Sequence, residues 1–399
     1  MNVYSFNEYS PEKYQNVIKS TMIHPCFRLT WLYQDEQEKE DITDYMILNS
    51  GSLSVSYNQG QRRSFNFTLN NESGKFTPRG NNNGLWLNSK FKLELGVKND
   101  DTDYIYNTAG IFVLSNPSAL RENAQKTIDV QCVDKFALID GTLGGTLETT
   151  YEIESGTNIR SAISSILLLD AGNGYPIDVA PLVFDTMYSN TTTQYTLTKS
   201  ANESLGSLII ELADMISCDV WYGTDGNLVV RSGTRNISYT TKPTLWQFKD
   251  TEFEYLSNST TYDFTDVKNS ITVVGANSNG DAIYTGLSEN TNPLSPTRVN
   301  LIGRRTKYID DSNIYSQDLA QQRADYELNK ASVLQNTIQI ESTYMIHLDV
   351  NNCISLDDTF FDYTETRFVI TTLTIPISTE GKMTIECSNI SSLPYYDET

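Results

Sequence analysis

The chain has 399 residues, enough for two to four domains with separate cores. Its 24 Tyr and 15 Phe, its abundant Ser, Thr and Asn, and its few long helix-forming runs favour β-rich domains with polar outer faces. A formal net charge of −21 argues against nucleic-acid binding, which rests on Lys and Arg, and five widely spaced Cys argue against a disulfide framework or a zinc knuckle.

The acidity is dispersed, with only Asp35 to Asp41 approaching a run, so a solvated surface is the simpler reading of it. A sharper reading is a wall that DNA slides past without sticking. No apolar run is long enough to span a membrane, and no signal peptide precedes the N-x-S/T sequons, so a reduced, soluble protein made in the cytoplasm is expected.

In chain order, residues 1–24 are polar and aromatic without a period and read as an N-terminal arm. A first β-module, 25–145, begins with the apolar run from Phe27. Ser52 to Tyr57 and Arg63 to Asn70 alternate strictly, with Phe65, Phe67 and Leu69 on one face. Leu85-Trp86 is placed to plug the end of a barrel or sandwich. Lys90 to Val97 adds a strand, and a hairpin runs through Phe112-Val113-Leu114 to Thr127–Cys132. These short strands suffice for a closed or nearly closed antiparallel barrel.

The period changes within 146–248, an α+β insertion. Ile159, Ala162, Ile163, Ile166 and Leu167 form one helical stripe. Ser200 to Glu203 reads as a capping box opening a second helix that carries Leu205, Leu208, Ile209, Leu212 and Ile216. Val220-Trp221-Tyr222, a Thr224–Asn227 turn and Leu228-Val229-Val230 form a hairpin. The last part, 249–399, holds a strand at Ile271–Val274 and one long helix over 316–333. Ala320, Ala324 and Ala331 on that helix fit close packing on a sheet. Further strands are expected at Ile338 and at Met345–Val350. The closing hairpin, Thr366 to Cys387, repeats the plan of Phe112–Cys132: 20 positions from Phe to Cys in the first copy and 19 in the second. Each copy follows a strand and an acidic loop, Asn99-Asp100-Asp101 and Asp357-Asp358. One β-module used twice is the reading this supports. The fold class is β-rich α+β: two similar antiparallel β-barrel modules flank the insertion, with one long helix in the last third.

Chemistry is sparse. His24 and His347 lack metal-ligand or triad context, and no nucleophile elbow, zinc helix, P-loop or dinucleotide pattern occurs. Asp101-Thr102-Asp103 resembles part of a calcium loop but lacks its Gly and terminal Glu. Paired carboxylates for glycan hydrolysis remain open among 50 acids. No catalytic, cofactor-binding or metal-binding residue is assigned, no cofactor is expected, and a structural protein rather than an enzyme is the reading.

Arg63–Asn70, Gly74-Lys75-Phe76-Thr77-Pro78, Leu85-Trp86 and Lys92–Gly96 resemble the first domain of bacteriophage tail-hub proteins, including those of Gram-positive phages and defective prophages and the T-even central baseplate hub. Tyr262–Asn269, Pro293–Pro296, Ile302-Gly303, the Ala320–Leu328 helix, Leu348–Asn352 and Ile375–Ser378 continue the likeness, which covers about 27 to 390. The resemblance implies a homotrimer in which two barrels per chain form a pseudo-six-fold ring. That ring would join a hexameric tail tube, or distal tail ring, to a three-fold spike, fibre hub or tail lysin. It would enclose a channel for tape-measure protein and DNA, without specific DNA binding. The expected location is the virion, at the tail tip or baseplate, after synthesis in the host bacterial cytoplasm. The family supplies no catalytic residues to carry over, and the absence of a lysozyme or peptidase extension before Thr399 departs from some of its members. A carbohydrate-binding or cell-wall-degrading tail-tip protein is the alternative.

Overall fold

The computed structural model describes residues 11–389 apart from 21–22, 81–83, 99–103, 124, 173, 194, 217, 233–241, 277–281, 294, 312–313, 315 and 333–334. The Asn99–Asp101 loop, the Asp101–Asp103 segment and part of the 1–24 arm therefore lie outside the described residues. The described part of the arm is helix α1 (Pro11–Ile18), whose Tyr14, Val17 and Ile18 are buried.

The first β-module comprises β1 (Pro25–Leu32), β2 (Glu38–Asp41), β3 (Met46–Ser56), β4 (Arg63–Asn70), β5 (Lys90–Lys98), β6 (Tyr104–Glu122) and β7 (Gln125–Asp134). The insertion follows with β8 (Tyr151–Ile153), α2 (Ile159–Leu167), β9 (Val183–Phe184), β10 (Leu197–Lys199), α3 (Leu205–Asp214), β11 (Asp219–Tyr222) and β12 (Leu228–Arg231). The last part holds β13 (Thr244–Lys249), β14 (Tyr255–Asp263), β15 (Ser270–Ala276), β16 (Ala282–Glu289), α4 (Val299–Ile302), β17 (Thr306–Asp311), α5 (Gln317–Ala331), β18 (Gln335–Thr343), β19 (Cys353–Asp358), β20 (Tyr363–Pro376) and β21 (Lys382–Asn389).

The expected period-two strands form because alternation places one face in a core. In β4, Phe65, Phe67 and Leu69 are buried while Ser64, Asn66 and Asn70 are exposed. The duplication read in the sequence is present strand for strand. Neighbouring strands run in the order β5-β6-β7-β4-β3 in the first module and β19-β20-β21-β18-β14 in the second, antiparallel throughout. Leu114 lies opposite Cys132 and Ile370 opposite Cys387, and each pair is followed by a register shift, before Asn116 and before Thr372. A further shift follows Leu93 in β5 and Leu356 in β19. Matching irregularities are more telling than matching strands, because a bulge sets where a strand bends.

These bends let β6 pair with β5 through its first half and with β7 through its second. The sheet thereby curls on itself. Phe67 of β4 meets Phe91 of β5, three strands away in the pairing order, with ring centroids 5.4 Å apart. The two modules are joined directly. Thr372–Pro376 of β20 pairs with Ser52–Ser56 of β3, giving one 13-stranded sheet over a common apolar core. Among the described residues the main path runs from β2 to β14 without returning to its start, so no ring of pairing closes within the chain.

Outer strands and connections differ between the copies. β1 flanks β5 antiparallel, whereas β13 flanks β19 parallel. The link before β5 brings Phe76 and Leu85 into the core, and the link before β19 brings Met345, Ile346 and Leu348. Met345–Val350 is thus not the expected strand: it is an apolar, buried connection, and its hydrophobicity comes from plugging a core rather than from pairing.

The insertion has its own core, built from α2, α3 and the small β9–β11–β12 sheet. Asn158 caps α2 by accepting from Ser161 N at 3.0 Å. The expected cap of α3 shifts from Ser200 to Ser204, which accepts from Ser207 N at 3.1 Å. Glu203 does reach back to Ser200 N at 2.6 Å, but Asn202 at φ 74° turns the chain out of helical geometry between them. A third small core lies under α5, where Ala320 and Ala324 sit against Ile271 and Val273. A Cβ on Gly286 of β16 would lie 2.1 Å from Ala320 O, which shows how closely helix and sheet approach.

Candidate functional site: an open-edged double sheet

No cluster of three or more His, Cys, Asp or Glu side chains that could hold a metal occurs among the described residues. His347 is packed away: Tyr14 OH lies 2.9 Å from its Nδ1, the Trp246 ring stands 5.3 Å away, and burial pushes its pKa down to about 3. It anchors α1 on the second module. None of the five cysteines is in a disulfide, and Cys132 and Cys387 are buried at equivalent positions.

Buried charge is spent on fixing the insertion to the first module. Lys135, fully buried in the turn after β7, is 2.6 Å from Glu36 Oε1 and 2.6 Å from Asp178 Oδ1, and donates to Gly226 O at 2.9 Å. Its three protons are thereby all used. Tyr222 OH donates to the other oxygen of Asp178 at 2.6 Å. Burial pushes the Glu36 carboxyl up, but the ammonium groups of Lys135 and Lys90 outweigh it and hold Glu36 below the ordinary value. A second joint lies beside it. The Arg62 guanidinium stands 4.3 Å from the Trp221 ring, and Tyr57 OH donates to Asp219 at 2.6 Å. Arg63 donates to Tyr222 O at 2.9 Å and pairs with Asp349 of the second module. Neither joint was legible in the sequence, because their members lie tens to hundreds of positions apart.

What remains open to a partner is the outer face of the double sheet and its free edges. From the distal half of β6 across to β14, that face carries mainly Ser, Thr, Asn and Gln, with Glu122, Asp129, Glu341 and Glu386 and the exposed Ile47 and Leu120. Opposite neighbours include Ser52 with Asn66, Asn66 with Gln131, and Gln339 with Glu386. Among the described residues Lys382 is its only base and lies at a strand end, whereas Arg63 points into the interior at 2% exposure. The aromatic side chains Phe65, Phe67, Phe112 and Phe368 are all on the buried side. A surface of hydroxyls, amides and carboxylates offers a nucleic acid neither counter-charge nor stacking platforms.

Two edges match the internal joint between modules. On β3 and β20 the joint is made; the corresponding edges, β14 and the distal half of β6, have no strand partner on that side among the described residues.

The fold is shared with solved phage tail proteins. The tail protein from Neisseria meningitidis MC58 matches with a TM-score of 0.60 at 11% identity, covering 93% of this chain and 99% of that one. The 43 kDa tail protein of prophage MuSo2 from Shewanella oneidensis gives 0.60 at 12% identity, covering 92% and 99%. Prophage tail protein gp18 from Listeria monocytogenes gives 0.52 at 14% identity, covering 91% and 94%. A family described as a domain of unknown function (DUF5048) matches residues 293–396. No curated protein matches. The chain therefore has the fold of phage tail proteins along almost its whole length.

Proposed function

We infer that this chain is the structural tail hub of a phage or phage-like particle. It acts as a homotrimer whose duplicated modules form a pseudo-six-fold ring between a hexameric tail tube and a three-fold tip. The observation that carries this reading is the strand-for-strand duplication together with one module joint made and its counterpart open. Two modules per chain and three chains give six similar surfaces, which is how a trimer can meet a hexamer. Head-to-tail contacts of this kind either close into a ring or polymerise. The closed barrel arrangement belongs, in this reading, to the assembled ring.

The polar, acid-bearing sheet face lines the channel, past which tape-measure protein and DNA move without being retained. The protein acts by fit and not by catalysis, works at the tail tip or baseplate of the virion, and is made in the host cytoplasm. Its other partners are the tube protein or distal ring above and a spike, fibre hub or tail lysin below. Gold-labelled antibody against the chain should mark the tube–tip boundary of intact particles; label spread along the tail, or absent from particles, contradicts the reading.

One groove supports a second, carbohydrate-binding role. Trp31, Tyr33, Trp86 and Tyr175 line it with Asp35 and Asn88, a mixture of ring faces and polar groups suited to sugars, although Lys39 Nζ already stands 3.4 Å over the Trp31 ring. Glycan-array binding that is lost in Tyr33→Ala and Tyr175→Ala would establish it.

A further inference from the structure

The small sheet under α5 has two edges, and the chain treats them differently. On β16, Gln317 of α5 donates to Thr285 O at 2.7 Å and accepts from Thr285 N at 3.4 Å. One helical turn on, Gln321 donates to Leu287 O at 3.0 Å and accepts from Leu287 N at 3.3 Å. Two glutamine amides thus stand where the next strand would, and that edge is closed.

β17 is the other edge, and its outward groups follow from the pairing. Thr285 and Leu287 turn their backbone away from β15, so their partners Val274 and Thr272 turn away from β16, toward β17. In the parallel β15–β17 pair the residues flanking each partner then bond inward, as Ser270 N to Arg305 O at 3.3 Å shows. Thr306, Tyr308 and Asp310 are left with amide and carbonyl facing outward, and no strand pairs with them among the described residues. Ile309 faces the α5 core, whereas the side chains of Thr306, Tyr308 and Asp310 are exposed on the opposite face. There Tyr308, 63% exposed, continues a row through Thr272 to Leu287, which is 55% exposed. Asp310 takes part in no ion pair among the described residues.

We propose that β17 is a docking edge for an extended segment of another protein, which adds as an antiparallel fourth strand. Along its own direction that segment sets a lysine or arginine opposite Asp310, an apolar residue opposite Tyr308 and a serine or threonine opposite Thr306. The base supplies the counter-charge that Asp310 lacks, and the apolar residue extends the Leu287–Thr272–Tyr308 row. A second copy fits less well: with Tyr308 opposite Tyr308 it brings Thr306, not a base, to Asp310. Joining two β17 edges also needs a two-fold axis, which a three-chain ring facing one way lacks. Only that last argument rests on the hub reading.

The test uses the full chain and a short synthetic peptide with lysine, valine and threonine at alternate positions and threonine between them. Amide exchange read by mass spectrometry should slow saturably in the 304–311 segment as peptide is added, and stay unchanged in 282–289. Asp310→Lys should weaken binding of the lysine peptide about fivefold and favour a peptide with glutamate in its place. Tyr308→Pro removes an outward amide and no inward bond, so it should abolish binding and keep the native melting curve. In Gln317→Ala combined with Gln321→Ala, protection should spread to 282–289. Protection that is unchanged in both Asp310→Lys and Tyr308→Pro, or absent at every peptide concentration, overturns the proposal. Protection of 304–311 that grows with protein concentration alone identifies a second copy as the occupant and also overturns it. Trimers of native mass that ignore the peptide overturn this edge and leave the hub reading standing.

Discussion

Lys135 and His347 show what single residues do here. Replacing Lys135 by Met takes one of two ammonium groups from Glu36 and the ion-pair partner from the fully buried Asp178, which keeps only the Tyr222 hydroxyl and the Ala180 amide. Breaking a buried pair from one side costs about 3–5 kcal/mol. Urea unfolding of Lys135→Met should show that loss, and limited proteolysis should release the insertion earlier than the β-modules. For His347 the sign follows from its depressed pKa. The unfolded chain takes up a proton as pH falls through about 6.5, whereas the folded chain resists until about 3. Stability present above pH 6.5 is therefore lost on acidification, by about 2 kcal/mol between pH 6.5 and 5. The slope over that window should flatten in His347→Gln; an unchanged slope would exclude His347 as its source. In the sequence this residue looks like an ordinary core histidine, and so it is. Its partner Tyr14 could not be read, since 333 positions separate them.

At the scale of elements, local pattern was a good guide where one face meets one core. The alternation of β4, the stripe of α2 and the small residues of α5 all describe faces that are buried as expected. It failed at Met345–Val350, where apolar residues plug a core without pairing, and at Ser200–Glu203, where a capping signature forms one turn early and Asn202 breaks it off. Cross-module pairing of β3 with β20 leaves no local trace at all, yet the repeat that makes it interpretable was visible in two hairpins of equal plan. The close approach of α5 makes a clear prediction. Gly286→Ala places a methyl group against the Ala320 carbonyl and should destabilise the β15–β17 unit by about 1–3 kcal/mol. Protease cleavage between about 264 and 332 should accelerate while the main sheet keeps its melting temperature.

For the whole molecule, a small part of the net charge of −21 lies on one sheet face. The outer sheet face bears Asp129, Glu341 and Glu386, with its one lysine at the rim. Reversing all three to Lys should convert a surface that ignores DNA into one that binds it non-specifically, with Kd in the range of ~10⁻⁴–10⁻⁶ M and a steep loss with salt. A mobility shift at low salt checks this; no difference from the native chain would exclude the charge of this face as what keeps DNA from binding. The central claim is the ring itself, and the native mass of the purified full chain, joined to averaged electron-microscope projections, tests it most directly. The account predicts a particle of three times the 45.0 kDa chain mass whose end-on views show six lobes around an open centre. A strictly monomeric chain at high concentration, or a closed dimer without a central opening, would contradict it.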